Sequence, residues 1–273
     1  MTAKPRLDAE LVRRGLARSR DHARELVAAG RVRVGGLVAA KPATGVDPAA
    51  ALLVAPPSDN DHEDDYVSRG GHKLAGALDA FDGVVVEGRR ALDAGASTGG
   101  FTDVLLRRGA AEVVAVDVGY GQLDWRLRND ARVHVLERTN VRALTPQAIG
   151  DPVAIVVADL SFISLTVVLP ALADCATPDA DFVLMVKPQF EAGRERVGSG
   201  GVVRDPEVRA DTIATVVKAA AGLGLHLTDA VASPLPGPSG NVEFFVWLRR
   251  SDAPMTADDT EALIARAVAE GPQ

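Results

Sequence analysis

Two lysines and two acids stand where apolar runs give out. The stretch "SRGGHKLAGAL" puts Lys73 on a helix whose Leu74 and Leu78 face inward, and "IVVADLSFISL" drives Asp159 out of a buried strand. "FVLMVKPQFE" does the same with Lys187, where Pro188 ends the strand directly behind it. "GNVEFFVWL" sets Glu243 at the start of another strand. One charge at the end of an element is ordinarily solvated. Four that can converge above one sheet edge form a set able to hold or move a proton.

A second group surrounds "ALDAGASTGG", residues 91–100. Val84, Val85 and Val86 with Ala91 and Leu92 predict a strand, and Phe101, Val104, Leu105 and Leu106 recur with helical spacing. Gly95, Gly99 and Gly100 therefore fall in a strand-to-helix turn. Glycine bends tightly there and admits a ligand with no Cβ in the way, while the next helix points its unpaired N–H groups upward. Asp93, Gly95, Ser97, Thr98, Gly99, Gly100 and Phe101 are accordingly candidate cofactor contacts. Asp117, 24 positions after Asp93 at the end of "EVVAVDVG", stands where such folds hold ribose hydroxyls. Asn140 and Asp159, at later strand ends, join this set. The spacing G-x-S-T-G-G departs from G-x-G-x-x-G, which disfavours a nicotinamide dinucleotide.

The elements that must position these residues alternate. Strands are predicted near 84–92, 112–117, 133–136, 153–158, 181–187, 227–232 and 242–249, with helices clearest at 71–80, 101–108, 164–173 and 206–222. That pattern predicts an α/β, doubly wound, mostly parallel seven-stranded Rossmann-like sheet with its ligands at the carboxyl ends of the strands. Residues 66–250 form this body, and 251–273 read as a last surface helix and tail.

Residues 6–54 read as a separate small α+β unit. Leu7, Leu11 and Val12 stripe a first helix that Gly15 stops, Arg20 to Ala29 form a second, and "RVRV", Gly35-Gly36 and "LVAA" form a hairpin. Between unit and body, the acidic, proline-bearing residues 55–65 read as an exposed linker. The net charge of −7 is unevenly shared: residues 1–55 are net +5 and the remainder net −12. A basic head on an acidic body points to a polyanion met by the head alone. One cysteine, Cys175, excludes an intrachain disulfide, and five scattered histidines lack ligand spacing, so no metal site is expected. With no apolar run long enough to span a bilayer, a cytoplasmic protein without membrane contact is expected.

Two resemblances follow from these residues. The "RLD…L…G…SR…A…L…G.V.V.G" pattern over residues 6–53 resembles the S4 RNA-binding domain, which implies an RNA surface at Arg6, Ser19, Arg20, Arg24, Arg31 and Lys41. The order Lys73, Asp159, Lys187, Glu243 resembles the K-D-K-E tetrad of FtsJ-type ribose 2′-O-methyltransferases, and the glycine turn resembles that of class I methyltransferases. With "YVSRGGHKL", "DAGASTGGF" and "PGPSGNVEF", the chain from residue 6 to about 250 resembles the TlyA family, often labelled hemolysins. The resemblance implies S-adenosyl-L-methionine as cofactor, ribosomal RNA or ribosomal subunits as partner, and methylation of cytidine ribose. It implies Lys187 as base or orienting group, Asp159 as the residue that positions it, and Lys73 with Glu243 as ribose-positioning residues. A complete tetrad argues against a ribosome-binding module that does not catalyse, and the lack of a bilayer-spanning run argues against a cytolysin.

Overall fold

The computed structural model describes residues 4–17, 20–28, 30–55, 66–237 and 240–271. The chain divides into two compact units, Met1–Asp65 and Tyr66–Gln273. In the first, α1 (Leu7–Arg13) and α2 (Arg20–Ala28) pack with a three-stranded antiparallel sheet in the order β2 (Leu37–Val38), β1 (Val32–Val34), β3 (Leu52–Val54). Leu7, Leu11, Ala23, Leu26, Val27, Val32 and Val46 form its small core. The predicted hairpin is present, and β3 adds a partner on the other side of β1.

The second unit is a seven-stranded sheet. Its strands are β4 (Arg90–Ala94), β5 (Glu112–Val116), β6 (Val133–Leu136), β7 (Val153–Ala158), β8 (Ala176–Val186), β9 (Leu225–Ala232) and β10 (Phe244–Arg250), in the spatial order β6-β5-β4-β7-β8-β10-β9. β10 runs antiparallel to both of its neighbours, β8 and β9, and the other adjacent pairs are parallel. Alternate residues of each strand face opposite layers. Ala91, Ile155, Val183 and Phe245 face a core that includes α3 (Arg69–Ala80), α4 (Gly100–Arg107) and the short α5 (Trp125–Arg128). Leu92, Val156, Leu184 and Val246 face the opposite core, closed by the short α6 (Pro146–Ile149), α7 (Leu165–Asp174), α9 (Pro206–Ala221) and α10 (Ala257–Glu270). A further short helix, α8 (Pro188–Glu191), follows β8. Ile264 and Ala267 of α10 are buried in that core, so the C-terminal helix belongs to the larger unit.

One predicted strand starts late. Val84 to Val86 lie outside it, Val85 is exposed, and β4 begins at Arg90, after a turn in which Gly88 takes φ +72°. Pairing decides the boundary: Arg90 is the first residue in register with Glu112 of β5. The order of winding reverses at β4, with β5 on one side and β7 on the other. A crevice at the carboxyl ends of these strands follows from that topology. Among the described residues no helix is long and apolar enough to cross a membrane, and no group of three or more His, Cys, Asp or Glu could hold a metal ion.

Candidate active site at the carboxyl edge of the sheet

The turn after β4 is strained and closely packed. Gly95, Ser97 and Gly99 take φ of +91°, +49° and +99°, the left-handed region where glycine is at ease. A Cβ on Gly95 would lie 2.5 Å from the Asp159 carbonyl oxygen, and one on Gly99 would lie 2.2 Å from Leu127 Cδ1. One on Gly100 would lie 2.3 Å from Ser68 Oγ. The space that the sequence suggested for a ligand at these three positions is thus filled by the chain itself. Phe101 is likewise a core residue, its ring 6.0 Å from that of Phe245, so its side chain does not line the crevice. The Thr98 carbonyl accepts the Asp124 N–H at 3.1 Å and ties the turn to α5.

Beside the turn lies a small, open cleft lined by Ala96, Ser97, Asp117, Gln122, Leu123 and Glu137, among others. Asp117 Oδ2 accepts the Ser97 N–H at 2.8 Å, and Oδ1 accepts the Gly119 N–H at 2.6 Å. Each oxygen keeps a lone pair for a hydroxyl donor. Asp93 is fully buried; its Oδ2 accepts from Thr102 Oγ1 at 2.7 Å, whereas Oδ1 has no partner. Burial pushes this carboxyl up to about 7, with the charges of Asp159 and Asp117 adding to the shift. A buried acceptor beside a cleft floored by a second carboxylate suits a ligand that brings a cation and a ribose diol. Asn140 is not among the residues that line the cleft. It is exposed, and its Oδ1 accepts the Arg142 N–H at 3.0 Å as a local cap. Glu137, directly after β6, stands there instead and accepts the Gly121 N–H at 2.7 Å. An acid directly after an apolar strand, the feature that marks Asp117, also marks Glu137.

The four charged residues of the tetrad form two ion pairs. Lys73 Nζ lies 2.6 Å from Glu243 Oε2, both side chains buried. Lys187 Nζ lies 2.5 Å from Asp159 Oδ1 and donates to Ser161 Oγ at 3.1 Å. Topology explains the meeting. Asp159 and Lys187 leave the carboxyl ends of the parallel strands β7 and β8. The antiparallel β10 enters at that same edge, with Phe244 opposite Val186, so Glu243 arrives beside the end of β8. Gly237 packs on Glu243, a Cβ there being 2.5 Å from Oε1. Gln189 Nε2, two residues beyond Lys187, approaches the same Oε1 at 3.5 Å. On α3, a Cβ at Gly70 would lie 3.9 Å from Asp159 Oδ2, and Lys73 follows one turn later. Next to Lys187 the ring of Phe162, 92% exposed and at φ +65°, lies 5.1 Å from that of Phe190.

In the smaller unit, Asp8 is buried and gathers three of the predicted RNA contacts. Arg6 pairs with it at 2.9 Å, Arg20 at 3.5 Å and Arg24 at 3.8 Å, and each arginine remains about half exposed. The Arg6 hydrogen bond, foremost, holds the Asp8 carboxyl down to about 2. Arg31 donates to the Ala55 carbonyl at 3.1 Å, Lys41 is exposed, and Ser19 lies outside the described residues, as do linker residues 56–65.

Comparison with known proteins agrees with this arrangement. Residues 66–250 match the FtsJ-like methyltransferase family and residues 5–51 the S4 domain. The chain is 61% identical, over the whole of both chains, to the 16S/23S rRNA (cytidine-2′-O)-methyltransferase TlyA of Mycobacterium tuberculosis. It is 36% identical to Hemolysin A of Brachyspira hyodysenteriae, covering 88% of this chain and 97% of that one. A solved structure from Streptococcus thermophilus, described as a hemolysin, superposes with a TM-score of 0.75 at 38% identity, covering 99% of this chain and 98% of its own. With both domains matched and the likeness running end to end, the chain belongs to the TlyA family of FtsJ-like methyltransferases that carry an S4 domain.

Proposed function

We propose that this protein transfers a methyl group from S-adenosyl-L-methionine to the ribose 2′-hydroxyl of cytidine in ribosomal RNA. The observation that carries the reading is the meeting of Lys73–Glu243 and Lys187–Asp159 at one sheet edge, beside the crevice of a methyltransferase fold. The relative from Mycobacterium tuberculosis, named for this activity on cytidine in 16S and 23S rRNA, supports the choice of substrate.

When bound, the cofactor supplies an electrophilic methyl on a sulfonium. The chain's own groups do the rest. Asp93, the backbone around Gly95 and Ser97, Asp117 and Glu137 form the cofactor's cradle. A ribose 2′-hydroxyl is a poor nucleophile at neutral pH, so the oxygen must be oriented and its proton drawn off as the methyl arrives. Lys187 Nζ is the group that meets the hydroxyl, and Asp159 and Ser161 hold that amine in place. Lys73 and Glu243 position the sugar. The exposed Phe162 beside Phe190 offers a ring face on which an unstacked base can rest. Tyr120 and Trp125 are also exposed, and the Arg138 guanidinium lies 4.3 Å over the Tyr120 ring, adding an aromatic and basic surface near the cleft.

Ribosomal RNA incubated with the protein and methyl-labelled cofactor should gain label as 2′-O-methylcytidine after digestion. Label on a base, or none, would defeat the reading. Cofactor binding should also depend on pH through Asp93. A carboxyl raised to about 7 keeps its proton in the folded protein at pH values where the unfolded chain has lost it. Its contribution to stability is therefore present at acid pH and declines as pH rises from the ordinary carboxylate value to about 7. A bound cation favours the ionised form, so cofactor affinity should strengthen by up to about tenfold between pH 6 and 7 and then level off. Calorimetry on Asp93→Asn should show a flat and weaker profile, and a flat wild-type profile would remove Asp93 from the cofactor's field.

The smaller unit supplies affinity for RNA. Arg20→Ala should weaken rRNA binding and leave cofactor affinity alone. The slope of log affinity against log salt should become shallower by about 0.7 to 0.9, the loss of one phosphate contact. An unchanged slope would show that Arg20 touches no phosphate.

A further inference from the structure

One carboxylate joins the loop that leaves β7 to the short helix that follows Lys187. Glu191, the last residue of α8, accepts the Ser164 hydroxyl at 2.5 Å through Oε2 and the Leu165 N–H at 2.7 Å through Oε1. Ser164 caps α7 and Leu165 is its first residue, so Glu191 satisfies an amide that the helix leaves unpaired. Burial pushes the Glu191 carboxyl up from its usual value, and the two donors work against that shift.

The segment pinned in this way carries catalytic parts. Between Asp159 and Ser164 lie the carboxylate paired with Lys187 Nζ, the Ser161 hydroxyl that accepts from the same amine, and Phe162 in a left-handed conformation disfavoured for a bulky residue. The opposing segment runs from Lys187 to Glu191. The two meet at Asp159 and Ser161 on Lys187, at Phe162 on Phe190, and at Ser164 and Leu165 on Glu191. The first two contacts are the ones substrate must share or rearrange. Glu191 closes the far end of the frame and touches none of the four tetrad side chains in the hydrogen bonds it makes.

Resting on the methyltransferase reading, we propose that Glu191 is a positioning residue for that reaction. It locks the Asp159–Phe162 loop against the Lys187 turn and thereby fixes the direction of the Lys187 amine and the height of the Phe162 ring. The role differs from general support of the fold because the residues of the cofactor cradle lie on β4 or directly after β4, β5 and β6, and Glu191 bonds to none of these.

The test uses the full chain and turnover per cofactor-binding site, the sites being counted by calorimetric stoichiometry with S-adenosyl-L-methionine. Glu191→Ala should lower kcat per site by about 10- to 100-fold, the scale expected of a small misplacement of reacting groups. Its cofactor Kd should stay within about twofold of wild type. Glu191→Gln keeps an acceptor for Ser164 but turns an amide toward the Leu165 N–H, and should fall between. Should Glu191→Ala not fold, Ser164→Ala removes one of the two bonds and should cost about three- to tenfold in kcat per site. An unchanged kcat per site, or a loss matched by fewer binding sites, would overturn the proposal. A wild-type protein that transfers no methyl group would instead defeat the reading on which it rests.

Discussion

Lys187→Arg should retain the fold, the positive charge, cofactor binding and RNA binding, yet lose about 10²- to 10⁴-fold in methyl transfer, the range over which a positioned proton-handling group contributes. The amine occupies a narrow seat, 2.5 Å from Asp159 Oδ1 and 3.1 Å from Ser161 Oγ, with little of the side chain exposed. A guanidinium is planar and wider, presents its donors in a fixed fork and stays charged at any usable pH. It can pair with Asp159, but, unlike an amine that has first released a proton to solvent, it can neither take one from the 2′-hydroxyl nor place a single donor where Nζ now lies. Lys187→Ala should lose as much activity for a simpler reason. Single-turnover rates with saturating rRNA and cofactor decide the matter. Near wild-type turnover in Lys187→Arg would reduce Lys187 to an electrostatic clamp and leave proton removal to another group.

The tetrad was legible as four charges at the ends of apolar runs, and the alternation of strand and helix carried the sheet that gathers them. What the pattern did not disclose was direction. Glu243 arrives at the edge where β8 ends because β10 runs against its neighbours. The nine residues between the predicted strands 227–232 and 242–249 are too few for a parallel crossover and were the available clue. Side-chain direction within the glycine turn was equally hidden. Position alone made Phe101 and Asn140 cofactor candidates, whereas packing turns the Phe101 ring into the core and the Asn140 side chain caps the turn that follows it. The glycines were read for access, but what excludes a side chain at Gly95 and Gly99 is the Asp159 backbone and Leu127, groups remote in sequence. Gln189 and Glu191 lay in plain view in "VKPQFE". Their roles depend on partners far along the chain, Glu243 and Ser164, which no local spacing could supply.

The Lys73–Glu243 pair separates stability from catalysis. Its partners lie 2.6 Å apart, with side-chain exposures of 9% and 1%, and Gly237 packs against the carboxylate. Glu243→Ala would leave the Lys73 ammonium buried without its counter-charge and a cavity beside it, a change that costs roughly 3 to 5 kcal/mol. For a unit of this size that is a fall in melting temperature of about 6 to 20 °C. Replacing both partners with apolar groups removes the stranded charge, and buried pairs exchanged in this way commonly give neutral or improved stability. The double variant Lys73→Met with Glu243→Leu should therefore recover most of the melting temperature lost in Glu243→Ala. Activity should not follow. With no amine and no carboxylate to position the sugar, methyl transfer in the double variant should remain at least about 100-fold below wild type, the share expected of groups that orient a reactant. Thermal melts and turnover measured on the same preparations decide this. If stability and activity returned together, the pair would be a packing element that the ribose does not need. If neither returned, the site would lack the apolar tolerance that its burial implies, and the charges themselves would be holding the edge of β10 in place.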